Sequence, residues 1–271
     1  MPFFEKDGLR YFQFESFAAR SIHAVFTRQG GSSPSPWKSL NVGGTVGDDL
    51  ENVRENRIRS FRALGRDPES IFDLWQVHGT RAAFATEPRP PYAHEDKGDI
   101  IFTDQPEITL YMRFADCTPL LFHDPQRSVV GIAHAGWMGT VRGVATAAVR
   151  AMSERYGSKP AQIRAAIGPS IGADHYEVGE DVIQQVRASF GDDAESLLPK
   201  VGSRRHFDLW AANRLQLEQA GVRQIESANI CTACYPEDWF SHRGEHGKTG
   251  RFGALIALRK GSPAEGKEED L

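Results

Sequence analysis

Residues 99–136 read DIIFTDQPEITLYMRFADCTPLLFHDPQRSVVGIAHAG, and the fold class turns on them. Four runs rich in β-branched, aromatic and aliphatic residues, IIFTD, ITLYMRFAD, PLLFHD and SVVGIAHAG, are separated by turn residues such as Asp124-Pro125. Short apolar runs bounded by turn signals mark strands. Upstream, RYFQFESF and SIHAVFTR read as strands and QGGSSPSPWKSLNVGG as loop. Asp48 and Asp49 open a helical stretch, ENVRENRIRSFRALG, with Val53, Ile58, Phe61 and Leu64 near helical spacing and Gly65 as its stop. IFDLWQVHG is expected to be a strand ending at Gly79, and EPRPPYAHEDKG a charged surface loop. Downstream, a helix is expected from Thr140 to Tyr156, with Gly143, Ala147 and Ala151 spaced for close packing. IRAAIGPS reads as a strand and EDVIQQVRASFG as a helix; DLWAANRLQLEQAG is a helix capped by Asp208. IESANICT and RFGALIALR close the fold as strands. Strands and helices do not alternate strictly, which predicts an α+β fold with mixed β-sheets and packed helices. A single catalytic domain over 1–259 and a disordered polar tail over 260–271 complete the expected organisation.

The chain has 271 residues, 40% hydrophobic and 25% charged, the balance of a soluble globular protein. Its formal net charge of -4 advertises neither a nucleic-acid groove nor a membrane surface, so a phosphate-bearing ligand needs a local cluster of Arg or Lys. No apolar stretch is long enough to span a bilayer, and the acidic N-terminal segment does not read as a signal peptide. Three cysteines, an odd count, argue against a disulfide framework. A cytoplasmic enzyme acting on small molecules, with no nucleic-acid or membrane partner, is the expectation; the sequence leaves the oligomeric state open.

His78, Cys117 and His134 share a local grammar. Each stands at or just past the end of an expected strand and is followed by turn-forming residues: His78-Gly79, Cys117-Thr118-Pro119 and His134-Ala135-Gly136. Side chains at neighbouring strand ends can converge, and glycines leave room for close approach. One thiolate and two imidazoles suit Zn²⁺, and three protein ligands with an open fourth position are the pattern of catalytic zinc. The spacing is not that of a compact metal motif. A buried Cys is more often a small apolar residue, and a strand-end His more often a hydrogen-bonded surface group.

The segments WQVHG, GDIIFTD, ADCTPLLF and HAGWMGT resemble the laccase-domain family, also called multicopper polyphenol oxidase-like proteins. The similarity extends through TRQGGSSPSPWKSLNVGGTVGDDLENVRENR, GPSIGADHYEVGEDV, DLWAANRLQLEQAGV and CTACYPEDWFSHRG, which covers nearly the whole chain. The resemblance implies a zinc-dependent purine nucleoside phosphorylase acting on adenosine, inosine or methylthioadenosine with phosphate, with adenosine deaminase activity in some members. Bacterial relatives are described as peptidoglycan-editing factors. It also implies that the metal, zinc with copper as the alternative, is held by His78, Cys117 and His134. Two departures remove an expected cation: Met138 follows HAGW where the family carries a basic residue, and Ser241-His242-Arg243-Gly244 replaces SYRR.

Other candidates surround this set. Cys117, Asp99 and Asp116 are the candidate catalytic side chains, the two carboxylates serving as partners of a ligating His or as general acid/base. Adjacent strand residues face opposite sides, so Asp116 and Cys117 share a site only if the strand ends there. The basic cluster Arg243, Lys248 and Arg251 in a Gly-rich loop suits phosphate oxygens. Arg28 and Asn41 match family motifs and are candidate substrate contacts, as are Arg243 and Arg251. Cys231 and Cys234 form a CxxC whose readings are a redox pair, half a zinc site or a structural role. With Tyr235-Pro236 following and no second pair nearby, the structural role is favoured. HGKT at His246–Thr249 lacks the first glycine of a phosphate-binding loop and is set aside. Nine His with no HxH pair cannot build the separate copper cluster of a true oxidase. The zinc-deaminase HxE…PCxxC signature is absent too. The rivals to phosphorolysis are therefore a metal-dependent amidase editing peptidoglycan precursors and a non-catalytic, zinc-stapled binding module. In the last, His123 or Cys231 would supply a fourth ligand.

Overall fold

The computed structural model describes residues 3–19, 21–89 and 96–259; the tail at 260–271 lies outside them, as does part of the Pro-rich loop. In chain order the strands are β1 (Phe3–Lys6), β2 (Leu9–Phe12), β3 (Ser21–Phe26), β4 (Ile71–Phe72), β5 (Ala82–Phe84), β6 (Ile100–Thr103) and β7 (Thr109–Phe114). They continue with β8 (Thr118–Asp124), β9 (Val129–Ala135), β10 (Arg164–Ile167), β11 (Lys200–Val201), β12 (Arg204–Arg205), β13 (Gln224–Ser227) and β14 (Phe252–Leu258). The helices are α1 (Leu50–Ala63), α2 (Trp137–Val141), α3 (Val144–Tyr156), α4 (Glu180–Phe190), α5 (Ala194–Leu197) and α6 (Leu209–Gln219).

Two mixed six-stranded sheets, ordered β1-β2-β3-β14-β7-β4 and β13-β10-β8-β9-β6-β5, carry the fold. Each is antiparallel except at an edge: β4 runs parallel to β7, and β5 and β13 run parallel to β6 and β10. The alternation of side chains explains the stacking. Leu110, Met112 and Phe114 of β7 and Phe252, Ala254 and Ile256 of β14 pack against Ile101, Leu121, Val130 and Ile132 of the second sheet. The other face of the second sheet, with Ile100, Phe102, Leu120, Phe122 and Ala133, is covered by α3 and α6. The other face of the first, with Tyr111 and Leu255, meets Phe61 and Ala63 of α1. Both sheets are thus covered on both sides, which is why β8, β9 and β14 are buried at all seven positions and read as nearly continuous apolar runs.

Local signals place the helix ends. The Asp49 carboxylate accepts from Glu51 N–H at the start of α1, and Asp208 accepts from Ala211 N–H at the start of α6. The single helix expected from Thr140 to Tyr156 is instead two, because Gly143 takes a left-handed φ of 83° between α2 and α3. The most buried face of α3 is Ala145, Ala148, Val149 and Met152, with Ala147 and Ala151 of the expected row partly buried against the same core and Gly143 ahead of the helix. The strand expected over 71–79 stops at Phe72. Beyond it the chain follows the edge of β7 through a side chain: Gln76 accepts from Arg113 N–H and donates to the Arg113 carbonyl.

Candidate metal centre and active site

The register brings three strand ends together. β8, β9 and β6 are antiparallel neighbours, with Thr118 opposite Ala135 and Ile100 opposite Ala133. The start of β6, the end of β9 and the start of β8 therefore lie at one end of the sheet. Asp99 precedes β6, His134 is the penultimate residue of β9 and Cys117 precedes β8. His134 falls on the same face of β9 as Val130 and Ile132, so its ring enters the layer between the sheets, 5.5 Å from the Phe114 ring. The metal-ligating atoms of His78, Cys117 and His134 all lie within 4.8 Å of one another.

His78 reaches the site from a turn rather than a strand. Its φ of 58° curls residues 77–79 around the Asp99 carboxylate, which accepts from the N–H groups of Val77 (3.1 Å), His78 (3.0 Å) and Gly79 (2.7 Å). Successive N–H groups converging on an anion form a nest. The same carboxylate accepts from His134 Nδ1 at 2.9 Å. Fully buried Asp99 thus fixes the turn that carries one imidazole and the tautomer of the other, leaving His134 Nε2 as the donor atom. Burial alone would raise the Asp99 carboxyl, but the His134 hydrogen bond and charge, with the backbone N–H groups, hold it below its ordinary value.

The electrostatics prepare the sulfur. Burial would push the Cys117 thiol up, yet the facing His134 and then His78 bring it down to about 6. His134 is correspondingly raised to about 9, with burial opposing and Cys117 and Asp99 prevailing. Thiolate and imidazolium stabilise each other, so the sulfur is set as an anion, the form that ligates metal, and a metal entering the site would take the place of the proton on His134 Nε2. Gly136 makes the approach possible: a Cβ there would lie 2.7 Å from Cys117 Sγ and 3.0 Å from His78 Cδ2. This donor set fits a borderline-soft divalent ion, zinc or copper. Neither suggested fourth ligand joins it. His123 sits against Phe17, and Cys231 falls in a separate group with Asp174, His175 and Cys234.

Asp116 stands apart from the histidines. With β7 ended at Phe114 and Asp116 itself at a left-handed φ of 79°, Asp116 and Cys117 do face one cavity. The Asp116 carboxylate, however, accepts from Thr232 Oγ1 (2.7 Å) and Arg243 N–H (2.6 Å), tying down the chain that carries Arg243.

A cavity of about 660 Å³ opens over the three donors, a size ordinary for a small-molecule site. Arg57, Arg113, Arg243 and Arg251 line it, with Asp116 as the sole carboxylate among the described lining residues. Trp75, Trp137 and Tyr176 supply aromatic walls. Of the expected substrate contacts, Arg243 and Arg251 line this cavity, and burial lowers the Arg251 guanidinium below its ordinary value. Arg28 and Asn41 are not among the lining residues. Arg28 is held by the Lys38 and Pro236 carbonyls and by Glu245, and stacks on Phe240. Asn41 is buried, accepting from Gly43 and Arg251 N–H to shape the loop whose Gly43 and Gly44 form the cavity wall. Sequence reasoning passed over Arg57 and Arg113 because one lies in a helix and the other in a core strand. Their shared partner is buried Asp73, 3.8 Å from Arg57 and 3.0 Å from Arg113. Met138 lines the cavity where a basic residue was expected, and these two arginines add positive charge elsewhere in the same cavity.

Comparison with known proteins identifies the family. Residues 22–259 match the family model described as multi-copper polyphenol oxidoreductase laccase. The chain belongs to this family. It is 40% identical over 247 residues to a protein of Deinococcus radiodurans named purine nucleoside phosphorylase, covering 90% of this chain and 93% of that one. It is 36% identical to purine nucleoside phosphorylase YlmD of Bacillus subtilis, with 88% and 89% covered. The crystal structure of YlmD from Geobacillus stearothermophilus superposes with a TM-score of 0.89 at 35% identity, covering 95% of this chain and 98% of that one. The laccase-like family chain is therefore an α+β protein whose relatives carry phosphorylase names. Among its described residues no helix is long and apolar enough to cross a membrane.

Proposed function

We propose that this chain is a zinc-dependent purine nucleoside phosphorylase. The observation that carries the reading is the joining, in one cavity, of a three-donor metal set and four guanidinium groups between aromatic walls. Phosphorolysis forms a bond from a phosphate oxygen to the ribose C1′ as the bond to the purine nitrogen breaks and its electron pair leaves with the base. The reactants are a multiply charged anion and a nucleoside with a flat aromatic base, held in line, so much of the barrier is positioning and charge stabilisation.

The arginines are placed for the anion. Arg243 and Arg251 both come from the chain between β13 and β14, Arg251 immediately before β14, while Arg57 and Arg113 approach from the first sheet's side. Guanidinium forks match phosphate oxygens and lose little freedom when already held, as Arg113 is by Asp73, Gln76 and the Leu74 carbonyl. Trp75, Trp137 and Tyr176 are the surfaces on which a purine stacks. His78, Cys117 and His134 would hold the zinc ion, which when bound supplies a Lewis-acid centre that orients and polarises an oxygen of the reactants.

The two carboxylates favour phosphorolysis over deamination. Deamination needs a carboxylate free to shuttle protons. Asp99 already accepts four hydrogen bonds, and Asp116 holds Thr232 and Arg243. The test is chromatography of inosine incubated with zinc-loaded protein, with and without phosphate. Hypoxanthine is expected only with phosphate and is lost in His134→Ala. Equal hypoxanthine without phosphate would mean hydrolysis and overturn the proposal.

A further inference from the structure

Outside the active-site cavity, two loops bring four metal-ligating side chains together. Past the edge strand β13 and its neighbour β10, the chain segments stay side by side. Ala228 N–H donates to the Ile167 carbonyl, Ser170 N–H to Ile230, and Thr232 N–H to Ser170. This pairing lays the turn at 172–176 against the Cys231–Cys234 loop. His175 Nδ1 lies 3.8 Å from Cys231 Sγ and 3.5 Å from Cys234 Sγ, and Asp174 Oδ2 lies 3.7 Å from Cys234 Sγ. The imidazole and carboxylate are 3.1 Å apart, and all four donor atoms lie within 4.8 Å of one another.

The three separations to sulfur, 3.5–3.8 Å, match the edges of a metal tetrahedron, and the 3.1 Å contact of His175 with Asp174 is slightly shorter than an edge. Bonds of about 2.3 Å to sulfur and about 2.0–2.2 Å to nitrogen and oxygen give edges of roughly 3.3–3.8 Å. Two further features fit a ligating sulfur. Gly172 N–H donates to Cys231 Sγ at 3.2 Å, as backbone amides do to bound thiolates, and both cysteines are free thiols. Gly172 also leaves the space open, since a Cβ there would lie 2.6 Å from Asp174 Oδ1 and 3.2 Å from Cys231 Cβ. The missing second half of the CxxC motif is therefore not another sequence pair close by but Asp174-His175, delivered by the fold.

We propose that Asp174, His175, Cys231 and Cys234 form a second, four-donor metal site of the structural zinc type. A full set of protein donors leaves no open position, so its role is to clamp rather than to react. What it clamps is specific. Tyr176 follows His175 directly, and the chain beyond Cys234 leads to Arg243, whose guanidinium lies over the Tyr176 ring at 5.2 Å and donates to the Glu177 carbonyl at 2.8 Å. A metal there ties together the two segments that carry Tyr176 and Arg243 into the cavity. The proposal stands on these four side chains and does not depend on the phosphorylase reading.

The test is metal content of the full chain after zinc loading and desalting, measured by mass spectrometry of the elements. Two zinc ions per chain are expected in the parent protein and one in the Cys231→Ser/Cys234→Ser variant. Cys117→Ala should also keep one, so each site is counted without the other. Asp174→Asn/His175→Gln, altered only at exposed positions, should weaken the second ion at least tenfold in chelator competition and so guards against misfolding of the cysteine variant. With cobalt in place of zinc, the visible bands of the Cys117→Ala protein should be unmoved by added anions, as a closed site requires. One ion in the parent protein, lost in Cys117→Ala and unchanged in both loop variants, would overturn the proposal, as would a Cys231–Cys234 disulfide in the zinc-loaded chain.

Discussion

Replacing Asp99 by Asn removes one negative charge and changes almost no volume, yet it should disable the metal centre. The carboxylate accepts from four donors, Val77 and Gly79 on Oδ2 and His78 and His134 on Oδ1. An amide offers one acceptor oxygen, so in either orientation two of the four donors face an NH₂ group. Each buried donor left unsatisfied costs about 1–3 kcal/mol, so the substitution should destabilise the fold by roughly 2–6 kcal/mol. That is enough to lower the melting temperature by at least about 4 °C in a chain of this size. If the amide turns its NH₂ toward His134, the ring must accept at Nδ1 and protonate at Nε2, the atom the metal needs. Loss of a partner of this kind typically costs about 10–100-fold in metal affinity. The assay is chelator competition for zinc beside thermal unfolding of the metal-free protein. Asp99 also sets an acid limb. Its carboxyl is held below the ordinary 3.8, so its contribution is present above that value and is lost as pH falls through the lower folded one. Asp99→Asn should lack that limb. A variant that binds zinc as the parent does, with unchanged melting, would refute the view that Asp99 organises the site.

Gly136→Ala should lower zinc affinity at least about tenfold with little change in secondary structure, because its Cβ meets Cys117 Sγ and His78 Cδ2 while its backbone angles suit any residue; chelator competition and circular dichroism check this. Arg251→Met should raise the KM for phosphate about tenfold or more, the loss of one charge-assisted hydrogen bond worth about 1.5–3 kcal/mol, and change the KM for inosine less; steady-state kinetics with each substrate varied decide it. His23, buried with Nε2 accepting from Phe14 N–H at 2.8 Å, is pushed down to about 3 by burial. Its contribution to stability is complete above 6.5 and falls as pH drops from there toward 3, so denaturant unfolding should show the parent losing ground to His23→Gln over that range.

The sequence made some of this legible and hid the rest for physical reasons. The strands of 99–136 were readable because two-sided burial makes them continuously apolar, and α1 and α6 because Asp49 and Asp208 announce their starts. His78, Cys117 and His134 could be singled out as residues ahead of turns, but their convergence depends on the β8-β9-β6 register, which no local pattern encodes. His78 was placed at a strand end, whereas the Asp99 carboxylate draws residues 77–79 into a left-handed turn. Arg57 and Arg113 sit in no motif that marks a site, since their common partner Asp73 is remote in sequence from Arg113 and becomes adjacent only through the β4–β7 pairing. Arg28 and Asn41 carried motif signals that belong to loop architecture, each spending its hydrogen bonds on the chain around it.

The most direct test of the central claim follows phosphorus and purine together. Zinc-loaded protein is mixed with adenosine and phosphate, and ³¹P magnetic resonance is recorded while the bases are resolved by chromatography. The account predicts a sugar-phosphate resonance growing in step with free adenine, absent from Cys117→Ala and slowed in Arg251→Met at low phosphate. Inosine accumulating while the phosphate signal stays unchanged would contradict it and make the same metal centre a deaminase.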